Sequence, residues 1–199
     1  MILRGMSETN NIQRCDWAKS DVLINYHDNE WGVFTLDSHI HFEQICLSGL
    51  QAGLSWELIL RRRPSLRRLF ANFDYRLISC WSEDEVKRIC QCDDGIRNNN
   101  KIAAILENAR AFLELEEEHR NVCEFAFKLV GEKVIKNTYS SWSEIPAFSE
   151  ESIILSDTFR RAGFKYFGPT IAYAYMQSVG FVDDHIISCF KTSHRRENY

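Results

Sequence analysis

The sequence predicts an all-α protein. Long stretches carry apolar residues at a spacing close to 3.6, and no stretch gives a convincing set of alternating strands. Several apolar runs also begin directly after a side chain that can cap a helix. With 199 residues, of which 45% are hydrophobic and 26% charged, the chain has the composition of a globular protein. A single domain of this length buries roughly 70% of its unfolded surface.

Several predicted helices begin after a side chain that can accept a hydrogen bond from an amide of the first helical turn. Ser, Asp and Asn do this because their short side chains reach amide groups that lack a partner inside the helix. Caps of this type are found at Asp37 or Ser38, at Ser55, at Ser82 with Glu85, and at Asn121 with Glu124. A helix is therefore expected to start at each of these positions.

The predicted helix ends depend on proline and glycine. The helix after Ser55 is predicted to run over 56–63 and to stop at Pro64, because proline lacks the amide hydrogen that continues a helix. The helix over 149–162 is expected to end at Gly163, a residue type that readily adopts the left-handed conformation of a helix end.

Three further helices are predicted from apolar spacing. A long helix is expected over 100–119, and another begins at Pro169 and runs to about Gly180. A last short helix is expected over 185–190, followed by a polar tail.

Two Cys and two His near the chain ends form a candidate metal site. On a helix, His185 and Cys189 would lie one turn apart on the same face and could chelate Zn²⁺. Cys15 and His27 could complete a tetrahedral site if the two chain ends meet. The alternative is that Cys189 is a buried apolar residue and His27 a hydrogen-bonded core residue, and spacing leaves both possibilities open.

A short turn followed by a helix start, at 93–101, could bind phosphate. Gly95 lies in the turn, and the amide groups of the following helix start attract anions. Arg97 and Lys101 add positive charge, as in a hairpin that contacts the DNA backbone without recognising sequence. The alternative is an ordinary helical hairpin, since two aspartates oppose anion binding.

Aromatic residues cluster around a second glycine-bearing turn. An exposed Leu54 after Gly53 could insert into a base stack. Trp17, Tyr26 and Trp56 could line a pocket for a flat heterocycle. The alternative is that these rings are simply part of the core.

Charge and composition limit the remaining possibilities. The formal net charge of −4 argues against broad electrostatic binding to nucleic acid but leaves room for a local basic patch. The odd number of Cys, seven, argues against a disulfide framework. No apolar run is long enough to span a membrane, and the polar N-terminal stretch has no signal-peptide pattern, so a cytoplasmic location is expected.

Eight blocks of residues, in one order, resemble a known family. They are Cys15-Asp16-Trp17, Tyr26-His27-Asp28-Asn29-Glu30-Trp31-Gly32-Val33, Phe42-Glu43-Gln44-Ile45-Cys46-Leu47, Gln51-Ala52-Gly53-Leu54-Ser55-Trp56, Asn108-Ala109-Arg110-Ala111-Phe112, Ser143-Glu144-Ile145-Pro146, Gly163-Phe164-Lys165-Tyr166-Phe167-Gly168, and Asp184-His185 running on to Cys189. Over nearly all of 14–190, the chain resembles the bacterial DNA-3-methyladenine glycosylase I family.

The resemblance implies a helix–hairpin–helix DNA glycosylase fold in a single domain, 1–199. A small zinc-clipped lobe, which also carries the base pocket, would be formed by 15–36 and 165–199. A helical lobe over 37–164 would carry the hairpin at 93–101.

Individual residue roles also follow from the resemblance. The implied ligands of structural Zn²⁺ are Cys15, His27, His185 and Cys189. The implied base-binding residues are Trp17, Tyr26 and Trp56, and Leu54 after Gly53 matches the family residue that probes the DNA stack. Together with the hairpin residues, the predicted DNA-binding residues are Gly53, Leu54, Gly95, Arg97 and Lys101.

The implied activity is hydrolysis of the N-glycosidic bond of alkylated purines such as 3-methyladenine in double-stranded DNA. This base is cationic, so its bond is labile, and an electron-rich aromatic cage favours it by cation–π attraction. The protein is expected to be a monomer without a membrane partner.

One departure from the family affects the base pocket. The family has a base-recognising Glu where this chain has Ser48, so reduced or shifted specificity is expected. Compensation by Asp28, Glu30 or Glu43 is left open. The alternatives are a catalytically silent binder of alkylated or distorted DNA, and a zinc-stabilised helical interaction protein.

Overall fold

The computed structural model describes residues 12–92, 96 and 98–192, and this part of the chain is almost entirely helical. Its α-helices are α1 Asp21–Asn29, α2 Ser38–Gln51, α3 Trp56–Leu69, α4 Tyr75–Ser79, α5 Glu83–Cys90, α6 Asn99–His119, α7 Val122–Leu129, α8 Glu150–Arg161 and α9 Pro169–Ser178. Short 3-10 helices lie at Ala71–Phe73 and Trp142–Glu144, and the two-residue strands β1 Ile135–Lys136 and β2 Val182–Asp183 pair in parallel. The all-α prediction is confirmed. None of the helices described is both long and apolar enough to cross a membrane.

The predicted caps are confirmed by hydrogen bonds to the first turns. Asp37 accepts from the amide of Ile40 at 2.9 Å, and Ser55 caps α3 in the same manner. Ser82 and Glu85 form a complete capping box, and Asn121 caps α7 with its own side chain. Ser149, which was predicted as part of a helix, is the cap of α8. Caps are local interactions within four residues, which is why the sequence alone predicts them.

The predicted end of α3 at Pro64 is wrong, because the helix continues to Leu69. The proline removes one backbone hydrogen bond, but Leu66 beyond it is fully buried in the core. Arg63 and Arg67, on either side of it, also form buried or half-buried ion pairs with Glu43. Tertiary contacts therefore continue the helix past a local breaker.

The predicted helix over 185–190 is also wrong, because this segment forms turns. Its amides find partners elsewhere: Ile187 donates to the carbonyl of Tyr139 at 3.0 Å, and Phe190 donates to the carbonyl of Gln13 at 2.9 Å. The second of these bonds brings the two ends of the described chain together. Helix α1, near the first of these ends, was not predicted.

Helix α2 is central because it is buried on all sides from His41 to Leu50. It packs against α3, α6, α7 and α9. A second, smaller apolar cluster joins residues from both chain ends to α1 and α3. Its buried members are Cys15, Tyr26, Trp31, Leu60, Ile186 and Cys189.

An ion-pair network fixes α1, α2 and α3 relative to one another. Arg63 binds Glu43 with two hydrogen bonds of 3.0 and 2.9 Å and reaches Glu30 at 2.6 Å. Arg67 adds two further bonds to Glu43, at 2.6 and 2.8 Å. Burial alone would raise the pKa of Glu43, but the two guanidinium groups lower the pKa below its usual range. The ionised Glu43 carboxylate therefore has a structural role, because it holds α2 against α3.

Candidate functional site

Three of the four predicted metal ligands meet in the buried space between the chain ends. Cys15, His27 and Cys189 each place one ligand atom within 4.8 Å of the others. All three side chains are buried, and the Cys189 sulfur lies 3.4 Å from Nε2 of His27. Two sulfurs and one imidazole nitrogen at this spacing could bind a metal ion.

His185 lies next to this group and carries an unused nitrogen. Its ring centre is 5.2 Å from that of His27, and Nε2 is buried without a hydrogen-bond partner among the described residues. The other ring nitrogen, Nδ1, is 2.7 Å from Asp183. An orphaned buried nitrogen is costly unless something binds it, so His185, although outside the group of three, is a candidate fourth ligand.

Carboxylates orient both histidine rings in the same way. Nδ1 of His27 lies 2.8 Å from Asp28, and Nδ1 of His185 lies 2.7 Å from Asp183. Such contacts are common behind metal-bound histidines, because they hold the ring and direct Nε2 to the metal. Arg14 binds Asp28 in turn at 2.7 Å and holds the pKa of that carboxyl below its usual range.

The two cysteines share a hydrogen bond that favours one thiolate. The Cys15 thiol donates to Cys189, which lowers the pKa of Cys189 and raises the pKa of Cys15. The hydrogen bond with His27 lowers the pKa of Cys189 further. Thiolate is the form of cysteine that binds metal ions.

A cavity of about 330 Å³ opens beside the cluster of Cys15, His27 and Cys189, between α1, α2, α3 and α9. Its lining residues are Trp17, Leu23, Tyr26, Trp31, Ser48, Gln51, Ser55, Trp56, Glu57, Trp142, Ala174, Gln177 and Ser178. The structure thus brings together all three predicted base-binding aromatics and Ser48.

Among the described residues, five aromatic rings line this cavity. Tyr26 and Trp56 lie 5.3 Å apart between ring centres and are tilted by 63°. Trp17 contacts Trp31 edge-on at 5.2 Å and lies 6.0 Å from Trp142. Burial raises the pKa of Tyr26, so its phenol stays protonated. Trp31 and Trp142 were not predicted to line the cavity, because the residues around them in the sequence do not distinguish a cavity wall from a core position.

Ser48 projects from α2 into this aromatic space and is only 2% exposed. None of the three acids that could compensate for it lines the cavity. Glu43 and Glu30 are bound by arginines of α3, and Asp28 is bound by Arg14. The lining does include another acidic residue, Glu57, which the sequence analysis did not identify.

The Gly53 turn lies at one end of α2. Gly53 has a φ of +79°, with open space where a Cβ would project, and Leu54 is 37% exposed. The turn borders a second cavity of about 400 Å³, which Arg62 and Asn98 also line. Leu54 therefore stands exposed between α2 and α3.

Lys101 lies beneath this turn. It is 7% exposed, and its ammonium group donates to the carbonyl of Leu50 at 2.8 Å and to that of Ala52. The group thus binds the end of α2, in a place where burial lowers the pKa of the lysine. The other predicted hairpin residues, Gly95 and Arg97, lie outside the described residues.

Comparison with known proteins finds a family model and relatives that are all methyladenine glycosylases. The methyladenine glycosylase family model matches residues 17–192. DNA-3-methyladenine glycosylase 1 of Escherichia coli (strain K12) is 41% identical over 179 residues, which cover 89% of this chain and 96% of that protein.

Solved structures of similar proteins share the fold. A crystal structure of 3-methyladenine DNA glycosylase I is 41% identical, covers 90% of this chain and 100% of its own, and superposes with a TM-score of 0.88. The Staphylococcus aureus 3-methyladenine DNA glycosylase I, solved to show how it recognises 3-methyladenine, is 26% identical with a TM-score of 0.83. The matched regions cover 86% of this chain and 92% of the Staphylococcus aureus chain.

Proposed function

Because the chain belongs to the methyladenine glycosylase family, we propose that its aromatic cavity receives an alkylated purine turned out of double-stranded DNA. The chain is a base-excision repair glycosylase, a hydrolase that cleaves the N-glycosidic bond of alkylated purines. The observation that carries the proposal is the cavity of about 330 Å³ with five aromatic walls. Flat, electron-rich walls suit a flat cationic base.

The chain's own residues would act mainly by holding the base. Trp17, Tyr26 and Trp56 would surround 3-methyladenine and favour its positive charge. The bond between C1′ of the sugar and N9 breaks, and its electron pair neutralises the base. A water oxygen bonds to C1′ and releases its proton to solvent, which leaves free base and an abasic site. The base is a good leaving group, so this step needs little acid catalysis.

A structural Zn²⁺ ion would be held by Cys15, His27, His185 and Cys189. The bound ion would constrain the fold and supply no chemistry at the reacting bond. Support comes from the clustered sulfurs and from the orphaned Nε2 of His185. The ion would join 15–36 and 165–199 into one lobe that supports the aromatic cavity, with 37–164 as the helical lobe.

The DNA-facing side would include the turn of Gly53 and Leu54 and the hairpin of Gly95, Arg97 and Lys101. Leu54 would fill the space that the flipped base leaves, because it is an exposed apolar side chain at the tip of a turn. Lys101 would act by holding the turn against the hairpin, as its bonds to the end of α2 indicate.

Ser48 would make base recognition weaker or shifted relative to the family. It is buried in the cavity wall, where a neutral hydroxyl cannot balance a cationic base. A charge-assisted hydrogen bond in a closed pocket contributes about 1.5–3 kcal/mol.

The test is single-turnover release of 3-methyladenine from a methylated duplex by the wild-type chain, Ser48→Glu and Ser48→Gln. We expect release above a protein-free blank, and a severalfold increase for Ser48→Glu but not for the neutral Ser48→Gln. Binding to an abasic duplex without any release would instead support the silent binder. Equal rates for all three proteins would show that position 48 does not control recognition.

A further inference from the structure

Among the described residues that line the aromatic cavity, one side chain is charged, and its charge is negative. Glu57 is the sole carboxylate among the lining residues within the described part of the chain, and no lysine or arginine lines this cavity there. On the basis of the proposed function, we propose that Glu57 is a specificity-determining residue, which selects cationic over neutral bases.

The position of Glu57 follows from the start of α3. Ser55, Trp56 and Glu57 are consecutive, and all three border the cavity. The cavity therefore lies against the first turn of α3, where the helix dipole gives a partial positive charge. This charge alone would disfavour a cationic base, and a carboxylate in the same turn offsets it.

Arg61 holds the Glu57 carboxylate in place from the outer side of α3. Its Nε and Nη2 donate to the same oxygen, Oε1, at 3.1 and 2.7 Å. The Arg61 side chain is largely exposed, so the ion pair between Arg61 and Glu57 lies at the solvent-facing surface of α3. The hydrogen bonds from Arg61 lower the pKa of Glu57, so the group is ionised at neutral pH.

The other nearby acids do not compete for this role, because Glu43, Glu30 and Asp28 do not line the cavity. Glu57 is partly exposed, so water and salt screen its field. We therefore expect a preference of about three- to fivefold for a cation, which decreases as ionic strength rises.

The experiment compares two ligands of the same shape but different charge. One is the permanent cation 3,9-dimethyladeninium, and the other is the neutral 3,9-dimethyl-3-deazaadenine. Binding to the full chain is followed by tryptophan fluorescence, at low and high salt. The variants are Glu57→Gln and a matched control, Glu151→Gln, which removes the acid at the equivalent first-turn position of α8, far along the chain.

We expect the wild-type chain to prefer the cation and Glu57→Gln to lose about three- to fivefold in affinity for the cation alone. Glu151→Gln should behave as wild type. Equal losses for both ligands, or no loss for either, would overturn the role of Glu57 while leaving the base-binding cavity intact. Failure of the wild-type chain to bind either ligand would overturn the base-binding proposal itself, and this inference with it.

Discussion

Gly32 controls how closely the two chain ends approach. Its φ is +73°, and a Cβ placed on it would lie 2.7 Å from Cε1 of His185. A side chain here would both strain the backbone and push against a proposed metal ligand. The glycine therefore leaves room for the His185 ring beside His27.

Gly32→Ala should lower the stability of the fold and the affinity for zinc together. The left-handed backbone costs roughly 1–2 kcal/mol for a residue with a Cβ, and displacement of the His185 ring adds to that cost. Gly131→Ala is a matched control, because Gly131 also has a positive φ, +94°, but open space around its Cβ position. Chemical denaturation and bound zinc should be measured for both. Equal losses of stability, with full zinc in both variants, would contradict this account.

At the scale of elements, Lys101 joins α6 to the end of α2. The carbonyls of Leu50 and Ala52 are left open by the end of α2, and the buried ammonium satisfies both. The turn that carries Leu54 begins directly after them, so its position depends on this contact. An exposed lysine that binds DNA phosphate would make no such internal bonds.

Lys101→Met should lower the free energy of unfolding by about 2–3 kcal/mol, since two buried carbonyls lose a charged donor. The salt dependence of DNA binding should keep its slope, because no phosphate contact is removed. Lys87→Met, an exposed lysine on α5, is the control for loss of charge. If the slope of DNA affinity against salt concentration fell by about 1 in Lys101→Met, while the free energy of unfolding stayed unchanged, Lys101 would instead bind a phosphate directly.

At the scale of the whole molecule, the candidate metal site closes a loop of nearly the full described chain. Cys15 and Cys189 lie at opposite ends of it, and their sulfurs meet beside His27. A clip between such distant residues removes much of the conformational freedom of the unfolded chain. The cavity depends on the same contacts, because Tyr26 and Trp31 belong to the apolar cluster around the two cysteines.

Metal removal should therefore destabilise the whole fold. We expect about one zinc per chain in the purified protein, and a loss of more than 3 kcal/mol in stability after chelation. Cys189→Ser should reproduce that loss, whereas Cys80→Ser, which changes an exposed thiol, should not. Zinc analysis and thermal unfolding check this. A metal-free wild-type chain whose stability is unchanged by a chelator would contradict the proposed site.

The capped helices were predictable because their signals are local. Asp37, Ser55 and Asn121 each bond to amides two or three residues ahead, so a short stretch of sequence contains both partners. The resemblance to the glycosylase family added the prediction of four metal ligands, and three of these residues meet in the structure. The conflict at Pro64 was not predictable, because buried Leu66 and the Glu43 ion pairs lie outside the local pattern.

Short-range patterns were sufficient for the helical class and for the starts of most capped helices, whereas the ligand set and the base-binding aromatics depended on the resemblance to the family. The folded arrangement was needed to place Glu57 and Trp142 in the cavity, to bury the ammonium of Lys101, and to form turns over 185–190. The physical reason is the distance along the chain between partners. Phe190 bonds to Gln13, and such a bond carries no signal in the residues on either side of it.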